Sequence, residues 1–249
     1  MFLVLNWKMN PETLEQALDL FESIKKAAAK MSGKTIVAPP ALFLRSISEK
    51  YKGKFISFAI QNIHTEKTGA FTGEISAAQA KSVGCEFVLV GHFERRVIGE
   101  DDDDVRKKVS AALDSGLSPI ICIGEKVRDP HSGEHLEYIK RQITNTLSEV
   151  TTLQAKKIII AYEPVWAIGA TEPMKAPQMH EMTIFIRKIL WEKYDKLALK
   201  IPILYGGAIL DDVHATNMVK ESEVNGFLLG RASIDSERLH VLISSLSKI

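Results

Sequence analysis

The chain has 249 residues, a length that suits one large α/β domain or two small ones. Its 45% hydrophobic content is enough for a packed core, and its 32 basic and 31 acidic residues nearly balance. That balance argues against general attraction to nucleic acid or to a membrane surface. No apolar stretch approaches the roughly 20 residues that a membrane-spanning helix needs. We therefore expect a soluble protein with neither a nucleic-acid nor a membrane partner.

Cysteine usage and the first residues bear on the cellular compartment. Cys85 and Cys122 each lie beside apolar, strand-like residues, and we interpret them as reduced core thiols rather than a disulfide. The opening MFLVL is too short for the apolar part of a secretion signal and lacks a basic flank. These features predict a cytoplasmic protein.

Short apolar runs recur along the whole chain, and each is interpreted as a strand. Continuous apolar runs, unlike alternating ones, are typical of strands that are buried on both faces. In chain order the runs are FLVLNWK (2–8), TIVAPP (35–40), ISFAIQN (56–62), EFVLVGH (86–92), LSPIICIGE (117–125), KIIIAYE (157–163), IPILYGG (201–207) and NGFLLGR (225–231).

Helical patterns separate these runs, with apolar residues recurring at intervals of three and four. Clear examples cover 13–28, 135–150 and 236–246. Four acids at 101–104 precede a helical pattern, and we interpret them as an N-cap with first-turn charges rather than as metal ligands. Strands alternating with helices predict an α/β protein with a single (β/α)₈ barrel domain over residues 1–249. A doubly wound sheet would leave edge strands, and none of the runs is polar enough for an edge.

In such a barrel the C-terminal ends of the strands share one face, where active sites lie. Glu163 ends a buried run directly before Pro164, which cannot donate to a strand ladder. A carboxylate, an imidazole and an ammonium on one rim favour acid–base chemistry, although each alone could be structural. The polar residues expected on this rim are Asn6, Lys8, Gln61, Asn62, His92, Glu94, Glu125 and Glu163.

Glycines follow the last two predicted strands. Loops at this position of many barrels bind phosphate through backbone N–H groups, so Gly206, Gly207 and the segment 228–233 indicate a phosphate site. The sequence contains no HExxH motif, P-loop, GxGxxG motif or Cys/His cluster. We therefore expect neither a metal nor a nucleotide cofactor.

Taken together, several motifs resemble one known family. NWKMN (6–10), GAFTGE (69–74), VGHFERR (90–96), CIGE (122–125), AYEPVWAIG (161–169) and YGG (205–207) are similar to the signatures of the triosephosphate isomerases, in the same order. The resemblance covers essentially the whole chain. It implies cofactor-independent interconversion of dihydroxyacetone phosphate and glyceraldehyde 3-phosphate.

The resemblance also implies catalytic roles, which are the established ones of that family. Glu163 is the base that removes a proton beside the carbonyl. Neutral His92 donates a hydrogen bond to the carbonyl oxygen, and Lys8 stabilises the developing negative charge. Asn6 helps to place the substrate, and Glu94 orients the polar network.

Further implications concern substrate contacts, a lid and a partner. The implied lid runs from Pro164 to about Ala176 and excludes water from the reaction. The loop Thr65–Glu74 carries Phe71, which has nothing nearby in sequence to bury it, and implies a homodimer. The implied substrate-binding residues are Asn6, Trp7, Lys8, Gly169, Ala208, Gly230 and Arg231.

The sequence departs from the family pattern mainly at the phosphate end. Phe93 and Ala208 stand where serines are usual, and Arg231 stands where a glycine is usual. The segment ATEPMKAP (170–177) is one residue longer than expected and contains Pro173. Two alternatives therefore stay open: a non-catalytic relative that binds a phosphorylated ligand, and an isomerase or epimerase for another phosphosugar.

Overall fold

The computed structural model describes residues 1–129, 132–168 and 173–249. Its strands are β1 (Phe2–Asn6), β2 (Lys34–Ala38), β3 (Ile56–Ile60), β4 (Cys85–Val90), β5 (Ser118–Ile123), β6 (Ile159–Tyr162), β7 (Ile203–Tyr205) and β8 (Gly226–Leu229). All are parallel and hydrogen-bonded in chain order, and β8 pairs with β1 to close the barrel. The predicted (β/α)₈ barrel is confirmed.

Each predicted strand exists, but most are shorter than predicted at the carboxyl end. The run 201–207, for example, contains a strand only over Ile203–Tyr205. The residues beyond each strand leave the ladder and enter the loops of the carboxyl face. An apolar pattern cannot show where the ladder ends, because the first loop residues are also buried.

The core has two layers because both faces of each strand are buried. In β1, Val4 points into the barrel, whereas Leu3 and Leu5 pack outward against the helices, and all three are 0% exposed. The inner layer consists of Val4, Ile36, Ala38, Ala59, Phe87, Leu89, Ile120, Cys122, Ile159, Ala161, Leu204 and Leu228. This double burial is the physical origin of the continuous apolar runs.

Helices surround the barrel in the described part of the chain. They are α1 (Leu14–Ala28), α2 (Ala41–Lys50), α3 (Ala77–Ser82), α4 (Phe93–Val97), α5 (Asp102–Asp114), α6 (Glu134–Thr146), α7 (Ala176–Tyr194), α8 (Asp212–Ser222) and α9 (Ser236–Leu246). The predicted first and last helices are confirmed. The predicted helix 135–150 ends earlier, at Thr146, where the chain turns towards β6. None of the described helices is long and apolar enough to cross a membrane.

The acidic run before α5 is a helix cap, as predicted. Asp101 is the N-cap residue, and its Oδ1 accepts the N–H groups of Asp103 and Asp104, each at 2.9 Å. Within residues 1–129, 132–168 and 173–249, no three His, Cys, Asp or Glu side chains form a group that could hold a metal ion. Cys85 and Cys122 are both free and buried, which agrees with their interpretation as core thiols.

Candidate active site

A pocket of about 360 Å³ opens at the carboxyl face of the barrel. Loops from β1, β4, β6, β7 and β8 meet there, because parallel strands present their carboxyl ends on one side. The pocket brings together most of the predicted site residues: Asn6, Lys8, His92, Glu163, Ala208, Gly230 and Arg231.

Glu163 lies directly after β6, and its carboxylate is held inside the pocket wall. Its backbone N–H donates to the Ile123 carbonyl at 2.7 Å, which fixes the start of the side chain. Its Oε2 accepts the Phe93 N–H at 3.2 Å, and its Oε1 lies 3.2 Å from His92 Nε2. Glu163 is only 3% exposed. The carboxylate therefore has few contacts with water and lies beside two hydrogen-bonding groups, the Phe93 N–H and His92 Nε2.

Burial raises the pKa of the Glu163 carboxyl above its usual value, because removal from water disfavours the charged form. The imidazole of His92, the N–H of Phe93 and the ammonium of Lys8 oppose this shift without cancelling it. A carboxylate with a raised pKa is a stronger base than an ordinary glutamate. This environment therefore suits a residue that removes a proton from carbon.

His92 presents a defined donor to the pocket. It precedes the short helix α4, and its Nδ1 accepts the backbone N–H of Glu94 at 3.3 Å. Since Nδ1 acts as an acceptor, the ring proton of a neutral His92 lies on Nε2. Nε2 faces Glu163 and the pocket, so the ring can donate a hydrogen bond to a substrate oxygen.

Lys8 adopts a backbone conformation that residues other than glycine rarely take. Its φ is 56°, in the left-handed region, which costs of the order of 1–3 kcal/mol. Two neighbours hold it there. Asn6 Oδ1 accepts the Lys8 N–H at 3.0 Å, and Gln61 Nε2 donates to the Lys8 carbonyl at 2.9 Å. The strained turn aims the ammonium of Lys8 into the pocket.

Glu94 forms an ion pair with the Lys8 side chain. The Lys8 Nζ lies 2.5 Å from Glu94 Oε1, and the two side chains are 27% and 48% exposed. Such a partly exposed ion pair contributes little to stability but restricts where the ammonium can lie. This geometry supports the predicted orienting role of Glu94.

The glycines after β7 and β8 make room for neighbouring side chains, two of them candidate catalytic residues. A Cβ on Gly206 would lie 2.7 Å from Glu163 Cγ, and a Cβ on Gly230 would lie 3.0 Å from Lys8 Cε. A Cβ on Gly207 would lie 2.2 Å from the Tyr205 hydroxyl oxygen. The sequence indicated phosphate binding for these glycines, and the structure adds this steric role.

The ring of Phe93 lies on the pocket side of α4 and lines the pocket. Its centroid is 4.9 Å from that of the His92 ring, and Lys8 Nζ lies 5.2 Å from it. The ring therefore covers two of the candidate catalytic groups, where the family usually has a small hydroxyl residue. The backbone of the same residue contacts Glu163, because the Phe93 N–H donates to Oε2.

Phe93→Ser is expected to move the acid limb of the kcat/KM pH profile to lower pH. The smaller side chain admits water beside Glu163 and can donate a hydrogen bond to the carboxylate, so the pKa of Glu163 falls towards its usual value. The measurement is kcat/KM for the parent protein and Phe93→Ser, starting at about pH 4, which is near the usual pKa of glutamate. Phe55→Ser, at an exposed phenylalanine outside the pocket, is the control. An unmoved limb would show that the ring does not affect Glu163.

Two predicted substrate contacts do not lie in the described pocket. The Trp7 side chain is 0% exposed and packs in the outer core layer, and the Trp7 backbone N–H donates to the Ala38 carbonyl at 3.1 Å. The structure therefore places Trp7 in a packing role and does not support it as a substrate contact. Gly169 lies outside the described residues.

Two other residues predicted for the rim have structural partners instead. Glu125 is 1% exposed and accepts the Tyr162 hydroxyl at 2.8 Å and Trp166 Nε1 at 2.7 Å. It thereby anchors the chain that follows Glu163. Asn62 Oδ1 accepts Lys108 Nζ at 2.8 Å, at the edge of the helix layer.

The sequence analysis missed Arg238, which lines the pocket from the first turn of α9. Its Nη2 donates to the carbonyls of Leu210, at 2.7 Å, and of Ile209, so the guanidinium is fixed against the loop after β7. Its position in the helix pattern carried no signal for a pocket residue. Only the packing of α9 against that loop brings it to the site.

Fold and site together define a (β/α)₈-barrel protein with a candidate acid–base site at the carboxyl face. Comparison with known proteins makes the assignment specific. The family model described as triosephosphate isomerase matches residues 1–246. The chain belongs to the triosephosphate isomerase family.

Individual relatives agree with the family match over nearly the full length. The triosephosphate isomerase of Endomicrobium trichonymphae is 39% identical, over 96% of this chain and 95% of the relative. That of Aquifex aeolicus (strain VF5) is 38% identical, over 96% and 97%. The crystal structure of triosephosphate isomerase from Bartonella henselae has a TM-score of 0.87 and 32% identity, and the match covers 100% of this chain and 99% of that chain.

Proposed function

We propose that the protein interconverts dihydroxyacetone phosphate and glyceraldehyde 3-phosphate by proton transfer through an enediolate, without a cofactor. The observation that carries this proposal is the convergence of the Glu163 carboxylate, the His92 Nε2 and the Lys8 ammonium on one pocket. Family membership and the matching relatives support the choice of substrate.

When dihydroxyacetone phosphate is the substrate, Glu163 removes a proton from the hydroxyl-bearing carbon next to the carbonyl. The electron pair of that C–H bond forms the carbon–carbon double bond, and the carbonyl oxygen gains negative charge. His92 donates from Nε2 to this oxygen, and the Lys8 ammonium stabilises the charge. The protonated Glu163 then returns the proton to the neighbouring carbon, and the hydroxyl proton passes between the two oxygens to complete the isomerisation.

The phosphate group is proposed to bind at the end of the pocket formed by the loops after β7 and β8. The backbone N–H groups of Ala208 and Arg231 donate to no described residue, so both can serve an anion. Arg231 lines the pocket, and its guanidinium forms no ion pair with a described residue. Gly230 allows the chain to approach closely beside Lys8.

A coupled assay with glyceraldehyde 3-phosphate and dihydroxyacetone phosphate tests the proposal. Turnover in both directions supports it, and its absence in folded, phosphate-binding protein would favour the non-catalytic alternative. Turnover only with other phosphosugars would favour the other isomerase or epimerase.

Arg231 is proposed to offset the hydroxyl that Ala208 lacks at the phosphate site. Arg231→Gly should raise KM sharply, because a hydrogen bond to a charged group contributes about 1.5–3 kcal/mol. Ala208→Ser alone should change KM little, and the pair should recover most of the loss. The measurement is a double-mutant cycle on kcat/KM. Purely additive effects would mean that the two residues are not coupled.

We also propose a homodimer through the loop Thr65–Glu74. Phe71 is 43% exposed on this loop, although it is not without local contact: its ring centroid lies 4.1 Å from that of His64. A rigid, exposed aromatic contact suits burial against a second copy. Sedimentation equilibrium measures the mass, and a monomer at micromolar concentration would contradict the proposal.

The remaining proposals are that the chain acts as a single catalytic domain over residues 1–249, that it is cytoplasmic, and that it binds neither nucleic acid nor membranes. The family model spans residues 1–246, which supports a single domain. Two free, buried cysteines suit a reducing compartment such as the cytoplasm. The near balance of basic and acidic residues supports the absence of nucleic-acid and membrane partners.

A further inference from the structure

His214 bridges two segments that flank the active site. It lies in the first turn of α8, where Asp211 accepts its backbone N–H at 2.7 Å. Its Nδ1 accepts the Leu210 N–H at 3.3 Å, and its Nε2 lies 3.1 Å from the Met174 carbonyl oxygen. The sequence analysis gave no signal for this residue.

The two contacts determine the form of the imidazole. An N–H donor at Nδ1 requires a lone pair there, so the proton of the neutral ring lies on Nε2 and is donated to Met174. Both ring nitrogens are therefore used, each with a different segment. A side chain that only accepts or only donates cannot make both bonds.

One end of this bridge belongs to the candidate phosphate site. Leu210 ends the loop that follows β7, two residues after Ala208. Arg238 donates to the Leu210 carbonyl from the other side, so the peptide groups of Leu210 are held both by His214 and by Arg238. Fixing Leu210 fixes the path of the loop whose Ala208 lines the pocket.

The other end belongs to the segment between Glu163 and α7. Met174 lies two residues before α7 begins and is 0% exposed. Its backbone also lies near the hydroxyl of Tyr205, at the end of β7. Met174 is thus close to β7 and is joined through His214 to the loop that follows it.

We propose that His214 is a positioning residue that couples Met174, just before α7, to the phosphate-binding loop after β7. The inference rests on the proposed function for its phosphate site. Through this coupling, a displacement of Met174 is transmitted to Leu210 and hence to the Ala208 N–H that binds phosphate. Substrate affinity then depends on a side chain that touches no substrate atom.

Three variants test the coupling. His214→Ala removes both bonds. His214→Asn keeps an acceptor near the position of Nδ1, which can still bind the Leu210 N–H. His214→Gln keeps a donor near the position of Nε2, which can still bind the Met174 carbonyl. Each should raise KM for glyceraldehyde 3-phosphate and the dissociation constant of inorganic phosphate by the same factor, about tenfold. kcat should change less than KM, because no catalytic group is removed.

His240→Ala is the matched control. His240 Nε2 lies 3.2 Å from the Ser23 carbonyl oxygen and so also bridges two elements, α9 and α1, but it does not line the pocket. This variant should lose thermal stability yet keep the phosphate affinity of the parent protein. An equal loss of phosphate affinity in His240→Ala would mean that the effect of His214 is only general destabilisation.

Retained phosphate affinity in His214→Asn would overturn the proposal, because the bond to Met174 would then not matter to the phosphate site. Retained affinity in His214→Ala would overturn it as well. Phosphate binding is measured by calorimetry on the full chain and needs no turnover. The coupling can therefore fail or hold independently of whether the parent protein isomerises triose phosphates.

Discussion

Glu163→Asp is expected to lower kcat on the order of 10²-fold or more while the barrel stays folded. The shorter side chain retracts the carboxylate by roughly 1 Å from the position set by the Phe93 N–H and His92. Proton transfer depends steeply on that distance, whereas substrate binding through the phosphate does not. The coupled assay gives kcat and KM, and circular dichroism reports the fold.

The control for this prediction is Glu49→Asp, which shortens an exposed carboxylate that pairs with Arg45 on α2. It should leave both kinetic constants unchanged. Glu163→Gln preserves the length of the side chain but removes the base, so it should lose at least as much activity as the Asp variant. An Asp variant with the parent kcat would show that Glu163 is not the base.

Gly206→Ala is expected to lower kcat about 10²-fold, because the new methyl group displaces the catalytic carboxylate. Its Cβ would lie 2.7 Å from Glu163 Cγ, closer than packed carbon atoms can approach. The Tyr162 carbonyl oxygen on the same side, at 3.3 Å, leaves the methyl group little room. Glu163 must therefore move, and KM should change less than kcat.

Gly116→Ala is the control, since its φ of 76° makes alanine strained but a Cβ there meets nothing within 4 Å. It should lose stability and keep kcat. In the double variant Glu163→Ala/Gly206→Ala residue 163 has no Cγ, so the contact is absent and the two losses should not add. Full additivity, or a Gly206→Ala enzyme with the parent kcat, would contradict the steric account.

Local sequence was sufficient where the physical cause is local or repeats along the chain. The apolar runs identified the strands because each strand is buried on both faces, and Asp101 identified the start of α5 because a side-chain cap acts within three residues. Pro164 marked the end of β6 because a proline has no N–H to donate to the strand ladder. The motifs around Lys8, His92 and Glu163 indicated candidate catalytic groups, which the structure brings together in one pocket.

Tertiary structure decided what depends on residues that are distant in sequence. Trp7 is packed in the core and Phe93 faces the pocket, although both are aromatic residues beside catalytic ones. Gly206 is needed because Glu163 lies beside it across two neighbouring strands.

Arg238 and His214 reach their partners only because α8 and α9 pack at the carboxyl face of the barrel. The sequence by itself determined the barrel and the order of its elements, since burial and capping act locally, and it named the candidate acid–base groups. Which other side chains and peptide groups surround the candidate acid–base residues was decided only by the closed barrel. Contacts such as that between His214 and Met174 join residues that are 40 positions apart, and no local sequence pattern predicts them.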